Sequence, residues 1–190
     1  LWTLFQQQQA VPNIDGPLAS MSYSPYARSQ HPDYGDRPTA EQIRNDLRLL
    51  SPYTRTVRTY SSTGGVELVP GIAAEFGMKV TVGIWLEKDK DSDKIVDKNN
   101  TRNEREIASA IALARRYSNV NAIVVGNETI LRGDKTADEL IEIIKRVKRQ
   151  VPVPVTTGET FDVWLAHYVP TKPESEKAIQ EKKEKREEDA

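Results

Sequence analysis

The run Ala122-Ile-Val-Val125 sets the first limit on the fold, since four consecutive apolar residues, three of them β-branched, leave no polar face for water. A strand of that kind is covered on both sides, as parallel strands are. Directly after it come Gly126, Asn127 and Glu128, where such a strand would empty into a loop. In α/β barrels that end of a strand is where chemistry sits. A carboxylic acid held there, partly desolvated, keeps its proton near neutral pH and can act as a general acid.

The rest of the chain alternates strand and helix signals. Strands are predicted over residues 19–26, 56–62, 79–86, 120–128 and 153–157. Helices are predicted from Thr39 to about Tyr53, from Val66 to Phe76, from Thr101 to about Tyr117 and from Thr136 to about Gln150. Three of the helix starts read Thr-x-x-Glu or Thr-x-x-Gln, the pattern of a capping box. Gly77 follows the second helix in the position where a left-handed residue ends it. Apolar stripes support the helices: Ile43, Leu47 and Leu50 in the first, Ile107, Ile111 and Ala114 in the third, Leu140, Ile143, Ile144 and Val147 in the fourth. Such alternation implies parallel strands with right-handed crossovers, either a doubly wound sheet or a (β/α)8 barrel. No Gly-x-Gly-x-x-Gly follows the first strand, which takes the best support from a dinucleotide fold.

A polar stretch over residues 87–100 reads as an exposed loop, and from Thr171 onward Lys, Glu and Arg crowd out any apolar face. We divide the chain into an N-terminal extension (1–18), an α/β region (19–168) and a charged tail (169–190) that is helical or disordered. The opening Leu-Trp-Thr-Leu-Phe is too short to span a bilayer, which takes about twenty residues. It fits the end of an anchor or signal segment and a frayed terminus equally well. The formal net charge of −1 gives no excess of cations for nucleic acid. There is no cysteine, and His31 and His167 belong to no ligand spacing, so no metal or cofactor site is expected. Lys88–Lys98 lacks the Gly and terminal Glu of a calcium loop. Ser61, Ser62 and Thr63 lack a nucleophile elbow or a positioned histidine.

Six segments in this order carry a resemblance: Ser22-Tyr-Ser-Pro-Tyr26, Arg58-Thr-Tyr-Ser-Ser62, Val80-Thr-Val-Gly-Ile-Trp85, Asn103-Glu-Arg-Glu106, Val125-Gly-Asn-Glu128 and Pro154-Val-Thr-Thr157. Over residues 19–167 the chain resembles the bacterial branch of glycoside hydrolase family 17, the β-1,3-glucanase and β-glucan transglycosylase barrels. The resemblance implies a (β/α)8 barrel, a β-glucan oligosaccharide or polysaccharide as substrate, and a retaining mechanism through two glutamates. Glu128 matches the acid/base, with Asn127 beside it to hydrogen-bond the sugar 2-hydroxyl. Tyr23, Arg58, Tyr60 and Trp85 fall near the ends of the first three strands, where aromatic faces suit glucose rings. A periplasmic or extracellular setting, with a membrane-anchored parent, goes with the resemblance.

The chain departs from that pattern in one respect. The family's nucleophile lies on a later strand, and no residue here matches it. A full barrel takes about 250 residues. We therefore expect an incomplete barrel of about five βα units, and an isolated chain that does not complete a retaining cycle. Glu159, after the fifth strand, is expected to contact substrate or serve structure rather than replace the nucleophile. For Glu128 the plain alternative is a turn cap or a pair with Arg132. For Arg58 it is an ion pair with Glu128 or Glu159, or exposure at a sheet edge. Tyr23, Tyr60 and Trp85 suit core packing as well as sugar stacking. Two other outcomes stay open: an inactive glucan-binding module, and a half-barrel that self-associates through open strand edges.

Overall fold

The computed structural model describes residues 15–89 and 101–167. The N-terminal apolar pentad, most of the polar loop and the charged tail lie outside them. Five strands form one sheet in the order β1-β2-β3-β4-β5, every neighbouring pair parallel. They are β1 (Met21–Ser22), β2 (Thr56–Arg58), β3 (Lys79–Ile84), β4 (Val120–Asn127) and β5 (Val155–Gly158). Five helices follow them in turn: α1 (Ala40–Leu50), α2 (Val69–Glu75), α3 (Arg102–Arg116), α4 (Ala137–Lys148) and α5 (Phe161–His167). Among the described residues no helix is long and apolar enough to cross a membrane.

The register explains where the core lies. Val57 pairs with Val80, Val82 with Ile123, Ile84 with Val125, and Ile123 with Val155. Because strand side chains alternate, these residues share one face of the sheet. Val57, Val80, Ile84, Ile123 and Val125 are wholly buried there, in one cluster with Ile43, Leu47, Ile107, Ala110, Leu140 and Val147 from the helices. Burying each such side chain is worth about 1.5–3 kcal/mol. The other face carries Thr56, Arg58, Thr81, Gly83, Val124 and Gly158, the inner side of a partial barrel. The described residues form a partial α/β barrel, the one of the two architectures left open by the alternation that the family resemblance implied.

Local chemistry sets the helix ends. Thr39 and Thr136 make full capping boxes with Gln42 and Glu139. At Thr101 only half the box forms: its hydroxyl accepts from the Glu104 N–H, while the Glu104 carboxylate turns to Arg146 on α4 at 2.9 Å. The strands are shorter than their sequence signals, most of all β1 and β2. The second helix opens as a 3-10 turn over Val66–Leu68 and ends before Gly77, which is left-handed at φ 65°.

Candidate active site

The carboxyl ends of β2, β3, β4 and β5 bring most of the expected residues to one rim. Arg58 closes β2, Trp85 follows β3, Asn127 closes β4 and Gly158 closes β5. The Arg58 guanidinium reaches along the inner face and donates to Asn127 Oδ1 at 2.9 Å, while its carbon sits 5.1 Å from the centre of the Tyr60 ring. A Cβ on Gly158 would come within 2.9 Å of that guanidinium, so glycine here leaves room for Arg58 to pass. Of the plain alternatives for Arg58, the ion pair with Glu128 or Glu159 does not form; the partner is the Asn127 amide. Arg58 Nε is buried without an acceptor. A buried donor left unpaired costs about 1–3 kcal/mol, and a ligand hydroxyl or carboxylate would remove that cost.

Glu128 is the one non-glycine with positive φ among the described residues, at 53°. A side chain in the left-handed region costs of order 1 kcal/mol and persists when its surroundings over-determine it. Here they do. The Glu128 N–H donates to the Gly158 carbonyl at 2.6 Å, and its own carbonyl accepts from the Arg132 N–H at 2.9 Å. The Glu128 side chain is exposed. This corrects the expectation of a partly desolvated acid: the described residues do not bury it. The pair with Arg132 does not form either, because Arg132 donates to Asp134 at 2.7 Å and to the carbonyls of Leu86 and Asn127.

Trp85 is half-buried, with the Arg132 guanidinium over its ring at 4.4 Å. Its backbone N–H donates to Glu106 on α3 at 3.1 Å. Two other expected residues are engaged elsewhere. Tyr23 is buried and donates its hydroxyl to Asp46 on α1 at 2.9 Å, on the helix side of the sheet. Burial, together with that hydrogen bond to a carboxylate, pushes its phenol far above the usual range. Tyr23 therefore presents no ring face at the rim. Glu159 accepts from the N–H groups of Ile130 at 3.1 Å and Leu131 at 3.5 Å, fixing the turn after β4.

Sequence reasoning missed Glu106 as a site residue. It is 1% exposed and accepts from the hydroxyls of Ser61, Ser62 and Thr63 and from the N–H groups of Ser62 and Trp85. The signal was present: a glutamate between Asn103 and Ala110 on the buried stripe of α3. The Ser-Ser-Thr run is its donor set rather than a nucleophile. A second link ties the loop after β3 to the turn after β4. Asp89 accepts from Asn103 at 2.8 Å and from the buried Lys135 at 2.5 Å. Desolvation raises the Asp89 pKa, yet the Lys135 ammonium and the Asn103 amide outweigh it and hold the carboxyl below its usual range. No cluster of His, Cys, Asp or Glu among the described residues is arranged to hold a metal ion.

Comparison with known proteins follows the same lines. A family model described as the BtgE/BtgC glycoside hydrolase domain matches residues 20–176. A glucan 1,3-beta-glucosidase of Arthroderma benhamiae is 33% identical over 124 residues, covering 64% of this chain and 36% of that protein. The glucan endo-1,3-beta-glucosidase btgC of Emericella nidulans is 25% identical over 172 residues, covering 82% of this chain and 25% of its own length. Among solved structures, an active-site mutant of Rhizomucor miehei beta-1,3-glucanosyltransferase in complex with laminaritriose superposes with a TM-score of 0.60. It covers 75% of this chain and 49% of that one at 23% identity, a likeness of fold. The chain thus spans about a quarter to a third of these curated relatives. The matches support the family 17 type expected from the six segments. They are to fungal proteins, which lends nothing to a bacterial placement.

Proposed function

Because the chain belongs to the family of the BtgE/BtgC glycoside hydrolase domain, we propose that it serves the hydrolysis or transfer of β-1,3-linked glucosyl units, with Glu128 as general acid/base. The observation that carries this reading is the Asn127–Glu128 peptide at the mouth of the sheet. It is held in a left-handed turn beside Arg58, Tyr60 and Trp85. In the first half of the cycle the Glu128 carboxyl gives its proton to the glycosidic oxygen as the C–O bond breaks. In the second half the carboxylate takes a proton from water or from a sugar hydroxyl. Asn127 offers its amide to the 2-hydroxyl, since its oxygen is already taken by Arg58. An extracellular or periplasmic setting goes with a glucan substrate.

Retention requires a second carboxylate about 5 Å away, across the scissile bond. Glu159 stands on the adjacent strand end, but its oxygens are committed to the turn at Ile130 and Leu131. We therefore place the nucleophile outside the described residues, which by this reading supply glucan binding and the acid/base but not the second carboxylate. That engagement of Glu159 also favours the second reading, a glucan-binding module.

Chemical rescue separates the two readings. With laminaritriose and added azide, azide attacks the anomeric carbon where the second carboxylate would. The C1–N bond forms, the C1–O bond breaks, and the Glu128 proton leaves with the departing sugar oxygen. The expected product is an α-glycosyl azide, formed with inversion at that carbon. Glu128→Gln should lower its rate by about 10²–10⁴-fold, the usual worth of a general acid, while laminaritriose binding survives. Binding without azide product supports the module. No binding by the wild-type chain overturns both readings.

A further inference from the structure

Arg132 lies in the turn after β4, and its side chain is 28% exposed, so it is no part of the core. All three of its nitrogens are engaged. Nε donates to Asp134 Oδ2 at 2.7 Å, one terminal nitrogen to the Leu86 carbonyl at 2.9 Å, and the other to the Asn127 carbonyl. The same guanidinium lies over Trp85, 4.4 Å from the ring centre. The carbonyls it binds are those of the residue after Trp85 and the residue before Glu128. One planar group thus joins the ends of β3 and β4 at the rim. Only arginine combines a rigid donor fork with a flat, weakly hydrated face that stacks on indole.

Two consequences follow from the geometry. One face of Trp85 is covered by a cation, so a sugar ring that stacks on this half-buried indole has the opposite face to take. The peptide that carries Glu128 is tied to that same ring, in addition to its tie to Gly158 on β5. We infer that Arg132 is a positioning residue that couples the Trp85 platform to the Asn127–Glu128 peptide and fixes which indole face meets the glucan chain. This rests on the glucan reading above.

The test uses the whole chain with Trp2 and Trp164 changed to phenylalanine, so that Trp85 is the one emitting tryptophan. Laminaritriose affinity is measured by calorimetry for Arg132→Ala, Arg132→Lys, Trp85→Ala and the double variant Arg132→Ala/Trp85→Ala, and Trp85 fluorescence is read in the first two. Arg132→Ala should weaken binding about tenfold, within the range of coupling between residues of one network, and should shift Trp85 emission before any ligand is added. Arg132→Lys keeps the charge but loses the fork, and should weaken binding several-fold. In the double variant the loss should match that of Trp85→Ala alone within about twofold, because Arg132 acts through the ring; a shared unit is non-additive. Additive losses overturn the inference, as does wild-type affinity in Arg132→Lys. A wild-type chain that binds no laminaritriose overturns the glucan reading, and this inference with it. Intact wild-type binding with an unaffected Arg132→Ala overturns this inference alone.

Discussion

At Glu106 a carboxylate sits 1% exposed on the helix side of the sheet, where an unpaired charge would cost several kcal/mol. Its two oxygens are instead met by donors from Ser61, Ser62, Thr63 and Trp85. Glu106→Gln presents an amide N–H2 to some of those donors and leaves them unsatisfied. It should cost about 3 kcal/mol in a urea melt, the size expected when a buried charge network loses its acceptor. A loss under about 1 kcal/mol would show that the loop relaxes around the change. The residue also marks how far single side chains can be read from sequence. Asn127, Glu128, Arg58, Tyr60 and Trp85 were placed near strand ends by the family resemblance, and the structure brings them to one rim. Tyr23 is not brought there, because it stands two residues from Met21 and so shares its helix-facing side, where Asp46 takes the hydroxyl. Glu106 hid in an apolar stripe, where period reasoning looks for hydrocarbon and passes over an acid.

Helices were easier to read than strands, for a physical reason. A helix carries its own hydrogen bonds and end caps, so Thr39 and Thr136 announce α1 and α4 locally. A strand ends where its neighbours stop, which the chain cannot announce. The β2 signal runs through Ser62, yet pairing stops at Arg58, and Ser61–Thr63 turn away to Glu106. The backbone between, at Thr59 and Tyr60, crosses over Gly83 of β3. A Cβ there would lie 2.3 Å from the Thr59 carbonyl oxygen and 2.6 Å from Tyr60 Cα. Both are backbone atoms, so no side chain can swing aside. Gly83 carries no positive φ, so the cost of adding a methyl is steric. Gly83→Ala should therefore destabilise by about 2–3 kcal/mol through overpacking. It should also pull Tyr60 off the rim, with a weaker glucan response in the same protein. Thermal melts beside laminaritriose titration check both, and an unchanged midpoint would mean the β2–β3 crossing is looser than these distances require.

Five parallel strands with helices on one face leave the sheet with two edges, β1 and β5, and an inner face that no other layer covers among the described residues. Parallel sheets are stable when both faces are covered, and open parallel edges invite pairing. The β5 side is the more exposed of the two. On α5, which follows it, Phe161, Trp164 and Leu165 are 77%, 49% and 57% exposed, three large apolar side chains within five residues. On β1 the pairing is only two residues long, with one further bridge from Leu18 to Thr54, and so offers little to a partner strand. The expected outcome is concentration-dependent self-association driven from the β5–α5 side. Light scattering coupled to sizing chromatography should show mass rising with loading for the wild-type chain. Phe161→Ser with Leu165→Ser should return it to the monomer mass of 21.4 kDa without loss of helical circular dichroism, since neither side chain belongs to the core cluster. Shortening the apolar patch should act more strongly than adding a charge at β1, because the free energy of association scales with apolar area removed from water. A wild-type chain that stays monomeric at every loading would mean that the β5–α5 surface is tolerated as an open edge, and the self-completing half-barrel would be discarded.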